Sequence, residues 1–146
     1  MTLLRRDRYT VSDDPGHLDL GLIHRWLSDE SYWAAGVPEA VMRRAVENSL
    51  NFGVYDGDPG QRQAAYARVV TDRATFGWLC DLFVLPDHRG KGLARLLMDS
   101  VMRHPELLGL RNFMLATRDA HGIYARSGFE RIESSGRYMR IHRPYR

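Results

Sequence analysis

At 146 residues, with 44% hydrophobic and 27% charged side chains, the chain has material for one domain with a real core and too little for two. No apolar run approaches the roughly 20 residues of a membrane span, the charged N-terminal stretch MTLLRRDRYTVSDD lacks a signal-peptide core, and Cys80 has no second cysteine to pair with, so the cytosol is the expected compartment. The formal charge of +3 suits an anionic ligand, but the basic residues are more scattered than a nucleic-acid face usually needs.

In chain order, residues 8–12 (RYTVS) alternate as a short strand, and Asp13, Asp14 and Pro15 signal the start of a helix. Leu18, Leu20, Leu22, Ile23, Trp26 and Leu27 then recur at mostly helical spacing, until SYWAAGVP closes that helix. A second helix is expected over 38–50, with Val41, Met42, Ala45, Val46 and Leu50 on one face. NFGVYDGDPG runs from strand into turn, and RQAAYARVVTD is the return strand. TFGWLCDLFVL, 75–85, is nearly all apolar and reads as a central strand buried on both faces. A helix over 91–103, the connection HPELLGL, the strand RNFMLATR and the short helix DAHGIYARS follow. GFERIES and RYMRIH suggest a closing hairpin. The expected order is β-α-α-β-β-β-α-β-α-β-β, a mixed, mostly antiparallel α/β sheet flanked by helices in one domain, 1–146.

The stretch LPDHRGKGLARLL, 85–97, passes from strand to helix through a loop that is both bare and positively charged. The first turn of a helix has backbone N–H groups without internal partners, and these favour an anion. Gly90 and Gly92 would let a phosphate approach the backbone, Arg89 and Lys91 add charge, and Ala94 keeps the first turn small. Lys91 is followed by Gly92 rather than Ser or Thr, which excludes a Walker loop, and Arg95 stands where the dinucleotide fingerprint requires its third glycine. An ordinary strand-to-helix turn remains open on these residues alone.

The longer stretch LFVLPDHRGKGLARLLM resembles the acetyl-CoA motif of the GNAT N-acetyltransferase superfamily, Arg/Gln-x-x-Gly-x-Gly/Ala, here Arg89-Gly90-Lys91-Gly92-Leu93-Ala94. The preceding Val84-x-Pro86, a second signature in Tyr124, Gly128 and Phe129, and the element order extend the likeness over about 9–142. The resemblance implies an enzyme that moves an acetyl group from acetyl-CoA to a primary amine by direct attack in a ternary complex. The expected acceptor is a small amine. It implies that Arg89 to Ala94 hold the pyrophosphate, and that the backbones of Leu82, Phe83 and Val84 pair with pantetheine and the thioester oxygen. It also casts Tyr124 as the acid that protonates the departing thiolate.

Asp81 is conspicuous in an apolar strand, where an unpaired carboxylate would be costly. It is a candidate to take the amine's proton or bind the substrate cation, with a salt bridge to a neighbouring Arg as the alternative. His121 could act as a base, touch substrate or coenzyme A, or simply cap its helix. Many relatives have Asn near Asp119, and Asp here weakens that carry-over. Tyr32 and Trp33 are expected in the acceptor pocket, with Trp26 facing the core. No compact ligand spacing points to a metal. Two rival functions are a non-catalytic acyl-CoA-binding regulatory domain and a basic nucleic-acid-binding domain. A homodimer is plausible for the family.

Overall fold

The computed structural model describes residues 2–133 and 135–145. Its centre is a six-stranded sheet whose strands lie side by side in chain order: β1 (Thr2–Arg6), β2 (Tyr9–Ser12), β3 (Leu50–Asp56), β4 (Gln63–Thr71), β5 (Phe76–Val84) and β6 (Asn112–Leu115). The first five are antiparallel to their neighbours and β6 runs parallel to β5. A parallel neighbour needs a crossover, which α3 (Leu93–Arg103) supplies. Helices α1 (Leu20–Asp29) and α2 (Glu39–Glu47) connect β2 to β3, and α4 (His121–Ala125) follows β6. No helix among the described residues is long and apolar enough to cross a membrane.

Each face of the sheet has its own core. On one, Leu93, Leu96, Leu97, Met98 and Val101 of α3 cover Val11, Phe52, Val54, Ala65, Ala67, Val69 and Leu79. On the other, Ile23 and Leu27 of α1 and Met42 and Val46 of α2 cover Tyr66 and Phe83. Each such aliphatic side chain stabilises the fold by about 1.5–3 kcal/mol through burial. Asp19 caps α1 by accepting from Leu22 N at 3.1 Å.

Two features of β5 create the site. Pairing with β6 runs only from Phe76–Asn112 to Leu79–Leu115, so the two strands fork beyond that point. Opposite, the register with β4 jumps from Arg68–Cys80 to Tyr66–Phe83, leaving Asp81 and Leu82 against Ala67 in a bulge, with Asp81 at φ 55°. The strand read as buried on both faces is therefore half-exposed over much of its length. Its apolar side chains line a cleft as well as a core.

Other departures lie at the ends. β1 was not expected; it pairs its backbone with β2 although most of its side chains are exposed or half-buried. The closing hairpin over 128–142 is not formed among the described residues. Ser134 lies outside them, and the chain on either side is irregular apart from a 3-10 turn at Ser135–Arg137. The reason is visible in burial: Met139 is 98% and Ile141 80% exposed, so alternation there has no apolar face to bury.

Candidate active site

The groove starts where β5 ends. It has a volume of about 500 Å³ and is lined by Leu82, Phe83 and Val84 of β5, by His88 to Gly90, and by Gly92 to Ala94 at the start of α3; Trp26, Asp119 and Ile123 complete it. Gly90 and Gly92 have φ of 75° and 76°, the left-handed region that other residues adopt at a cost. A Cβ placed on either would meet no protein atom within 4 Å, so both glycines present bare backbone to open space. Gly92 is the N-cap of α3 and offers no side-chain acceptor, which leaves the first-turn amides uncapped beside the groove. These features fit an oxyanion such as a pyrophosphate.

Most of the expected cofactor residues meet here, with two corrections. Lys91 is exposed and stands outside the groove lining. Phe83 does not offer free backbone, because its register partner is Tyr66 and alternation turns its amide toward β4. Leu85 N donates to Ala64 O at 2.9 Å, so the intervening Val84 turns its N–H and C=O the other way, into the fork. Arg89 Nε donates to that carbonyl at 3.1 Å, folding the loop back onto the strand end. The Val84 N–H is the donor left facing the fork. Leu93 has its side chain buried in the α3 core.

The fork is flanked by aromatic groups. Tyr124 on α4 is half-buried against the α3-side core, in edge contact with Phe129 at 6.3 Å. Burial, with the nearby Tyr32 phenol, holds the Tyr124 hydroxyl above its ordinary pKa, so it remains protonated at neutral pH. From the other side, Trp26 stacks on Phe83 at 4.4 Å and meets Trp33 at 5.8 Å, while Tyr32 stands edge-on to Trp33 at 5.1 Å. The loop carrying Tyr32 and Trp33 is tied down by Ser31, whose Oγ donates to Leu27 O and accepts from Ala34 N, and by His24 against Val37 O.

Asp81 is held from two directions. Arg68 Nε donates to Oδ2 and Trp33 Nε1 to Oδ1, each at 2.8 Å, and Arg68 also reaches Ser49 Oγ at 2.9 Å. The side chains of Arg68 and Asp81 are only 16% and 10% exposed. With both oxygens occupied, Asp81 is placed to brace Trp33 and the bulge rather than to receive an amine proton. Cys80 beside it has its thiol pushed up to about 12, chiefly by burial and then by Asp81, so it is not a nucleophile at neutral pH. His121 opens α4, half-buried. No group of three or more His, Cys, Asp and Glu among the described residues could hold a metal ion.

Three participants were missed from sequence. Arg68 is the ion partner of Asp81, and only the β4–β5 register brings them together. His88 lines the groove and bonds through Nδ1 to the Tyr9 hydroxyl at 2.8 Å. Arg118 lies over the Tyr32 ring, 3.6 Å from its centroid.

Residues 29–131 match the family described as "Acetyltransferase (GNAT) domain". The chain belongs to the GNAT acetyltransferase family. This makes it an acyltransferase by membership, on the mixed sheet expected for such a protein. It is 30% identical to the presumed acetyltransferase FG08082 of Gibberella zeae over 142 residues, covering 84% of this chain and 78% of the relative. A crystal structure of a presumed GNAT acetyltransferase from Xanthomonas campestris pv. campestris is 49% identical and covers 97% of both chains, with a TM-score of 0.89. AAC(6')-Iy, solved with the bisubstrate analogue CoA-S-monomethyl-acetylneamine, shares the fold at 18% identity and a TM-score of 0.64, covering 94% of this chain and 98% of its own.

Proposed function

We propose that this GNAT protein transfers the acetyl group of acetyl-CoA to the nitrogen of a small primary amine by direct attack in a ternary complex, within a single domain in the cytosol. The observation that carries this reading is the fork. One strand end leaves the Val84 N–H unpaired beside an uncapped helix N-terminus with two left-handed glycines, and α4, whose Ile123 lines the same groove, carries the protonated phenol of Tyr124.

Acetyl-CoA would supply an activated thioester. Gly90, Gly92 and the first-turn amides of α3 would hold its pyrophosphate, with Arg89 nearby. The Val84 N–H is fixed by the sheet and costs no reorganisation as charge grows on the acyl oxygen. When the nitrogen bonds to the acyl carbon and the carbon–sulfur bond breaks, Tyr124 gives its phenolic proton to the sulfur. The nitrogen's surplus proton leaves to solvent, from which Tyr124 recovers its own. The acceptor enters past Tyr32 and Trp33, on a wall that Asp81 braces. His121, at the start of α4 and three residues before Tyr124, is a further candidate for acceptor contact.

The test begins with calorimetric titration of acetyl-CoA, free coenzyme A and ATP. Saturable one-to-one binding that ATP does not mimic is expected, followed by free-thiol release with an amine panel. Binding without turnover would support a non-catalytic acyl-CoA-binding domain, and no binding at millimolar acetyl-CoA would remove the enzyme reading.

A further inference from the structure

Arg118 sits in the loop between β6 and α4, exposed, with its guanidinium carbon 3.6 Å from the centroid of the Tyr32 ring. Tyr32 belongs to the loop between α1 and α2, so the contact joins that loop to the β6–α4 loop, whose Asp119 lines the groove. Stacking uses the flat face of a guanidinium and leaves its in-plane N–H groups available. None of those groups on Arg118 reaches a carboxylate or another acceptor among the described residues. The other arginines of the region differ: Arg68 is spent on Asp81 and Ser49, and Arg89 on the Val84 carbonyl.

The position is specific. Tyr32 adjoins Trp33, which is anchored to Asp81, and the Tyr32 phenol neighbours that of Tyr124. Asp119, next in sequence to Arg118, lines the groove. Arg68 already pairs with Asp81, so among the arginines described above Arg118 is the one whose N–H donors have no acceptor, with the exposed carboxylate of Asp119 next to it in sequence. A stacked, oriented fork of N–H donors matches the two oxygens of a carboxylate or a phosphate.

Building on the acetyl-transfer reading, we propose that Arg118 determines acceptor specificity, and that the preferred amine carries an oxyanion, carboxylate or phosphate, which the Arg118 fork binds while the amino group points into the fork. A polyamine, which has no oxyanion, would leave the Arg118 donors unmatched.

The experiment compares matched acceptors that differ in the anion: 4-aminobutyrate against butylamine, and O-phosphoethanolamine against ethanolamine, assayed by thiol release. The anionic member of at least one pair should be favoured at least tenfold in kcat/KM, and the two pairs tell carboxylate from phosphate. Arg118→Ala should lower that anionic-to-neutral ratio at least tenfold, with Arg118→Lys retaining part of it. Equal use of both members, or an equal loss on both in Arg118→Ala, would overturn the proposal and leave Arg118 as a strut between loops. Loss of acetyl-CoA affinity in Arg118→Ala would overturn it too, by assigning the cation to the donor. If acetyl-CoA binds and no amine is acetylated, acetyl transfer fails as a reading. Calorimetry of the same amines on protein saturated with coenzyme A then decides: anion-selective binding lost in Arg118→Ala supports the anion site, and its absence overturns it.

Discussion

A phenol that serves as an acid must keep its proton at working pH and lie where the sulfur departs; Tyr124 meets the first need through burial, and the fork would supply the second. Tyr124→Phe keeps the ring against Phe129 and removes only the proton. We expect kcat to fall about 100-fold, with acetyl-CoA affinity by calorimetry essentially unchanged; full turnover would remove Tyr124 as the acid. Asp81 calls for a different comparison. Asp81→Asn retains an acceptor for Trp33 Nε1 and tolerates φ 55°, but it leaves the mostly buried Arg68 without its counter-charge. Breaking such a pair costs about 3 kcal/mol. The urea midpoint should therefore drop clearly, while kcat falls less than tenfold and its pH profile keeps its shape. A collapse in kcat with unchanged stability would restore Asp81 as the base. The carboxylate was conspicuous in sequence because it interrupts an apolar run. Its partner was not, because Arg68 meets it only across a bulged register that no local pattern encodes.

At the scale of elements, the strand–loop–helix unit from Phe76 to Arg103 carries most of the candidate chemistry, and it was the most legible part of the chain. Its signals are local: a proline after the strand, two glycines, then helical periodicity, all within a few residues. Gly92→Asp tests the cradle. Asp is among the few residues that tolerate a left-handed φ, and a Cβ there meets no protein atom, so the fold should survive with little change in Tm. The carboxylate would face the pyrophosphate at the uncapped helix end, and calorimetric affinity for acetyl-CoA should fall more than 100-fold. Retained affinity would mean the phosphates lie elsewhere. The fork itself is not legible in the sequence, because strand composition does not reveal where β6 stops pairing. The tail shows the opposite failure. RYMRIH alternates like a strand, yet Tyr138, Met139 and Ile141 find no core and stay exposed.

Across the whole molecule, the sheet buries ionisable groups between its two cores, and this fixes how stability responds to alkali. Cys80 ordinarily loses its proton near 9 and in the folded chain only near 12, chiefly because burial disfavours the thiolate. Above pH 9 the unfolded chain therefore holds fewer protons than the native one, and stability must fall as pH rises through the window from 9 to 12. The slope approaches about 1.4 kcal/mol per pH unit for each such group. Tyr66, Tyr55 and Tyr124 are also shifted upward, chiefly by burial, and add to the slope above pH 10. Unfolding free energies from urea titrations at pH 8, 9 and 10 should decline for the native sequence by about 1.4 kcal/mol in total by pH 10 from Cys80 alone. Cys80→Ala should keep only the tyrosine contribution, so that the two curves diverge by about 1.4 kcal/mol by pH 10 once its constant packing loss is subtracted. Parallel curves for the two proteins would show that Cys80 ionises as easily folded as unfolded, and the strand beside Asp81 would then be open to water in solution.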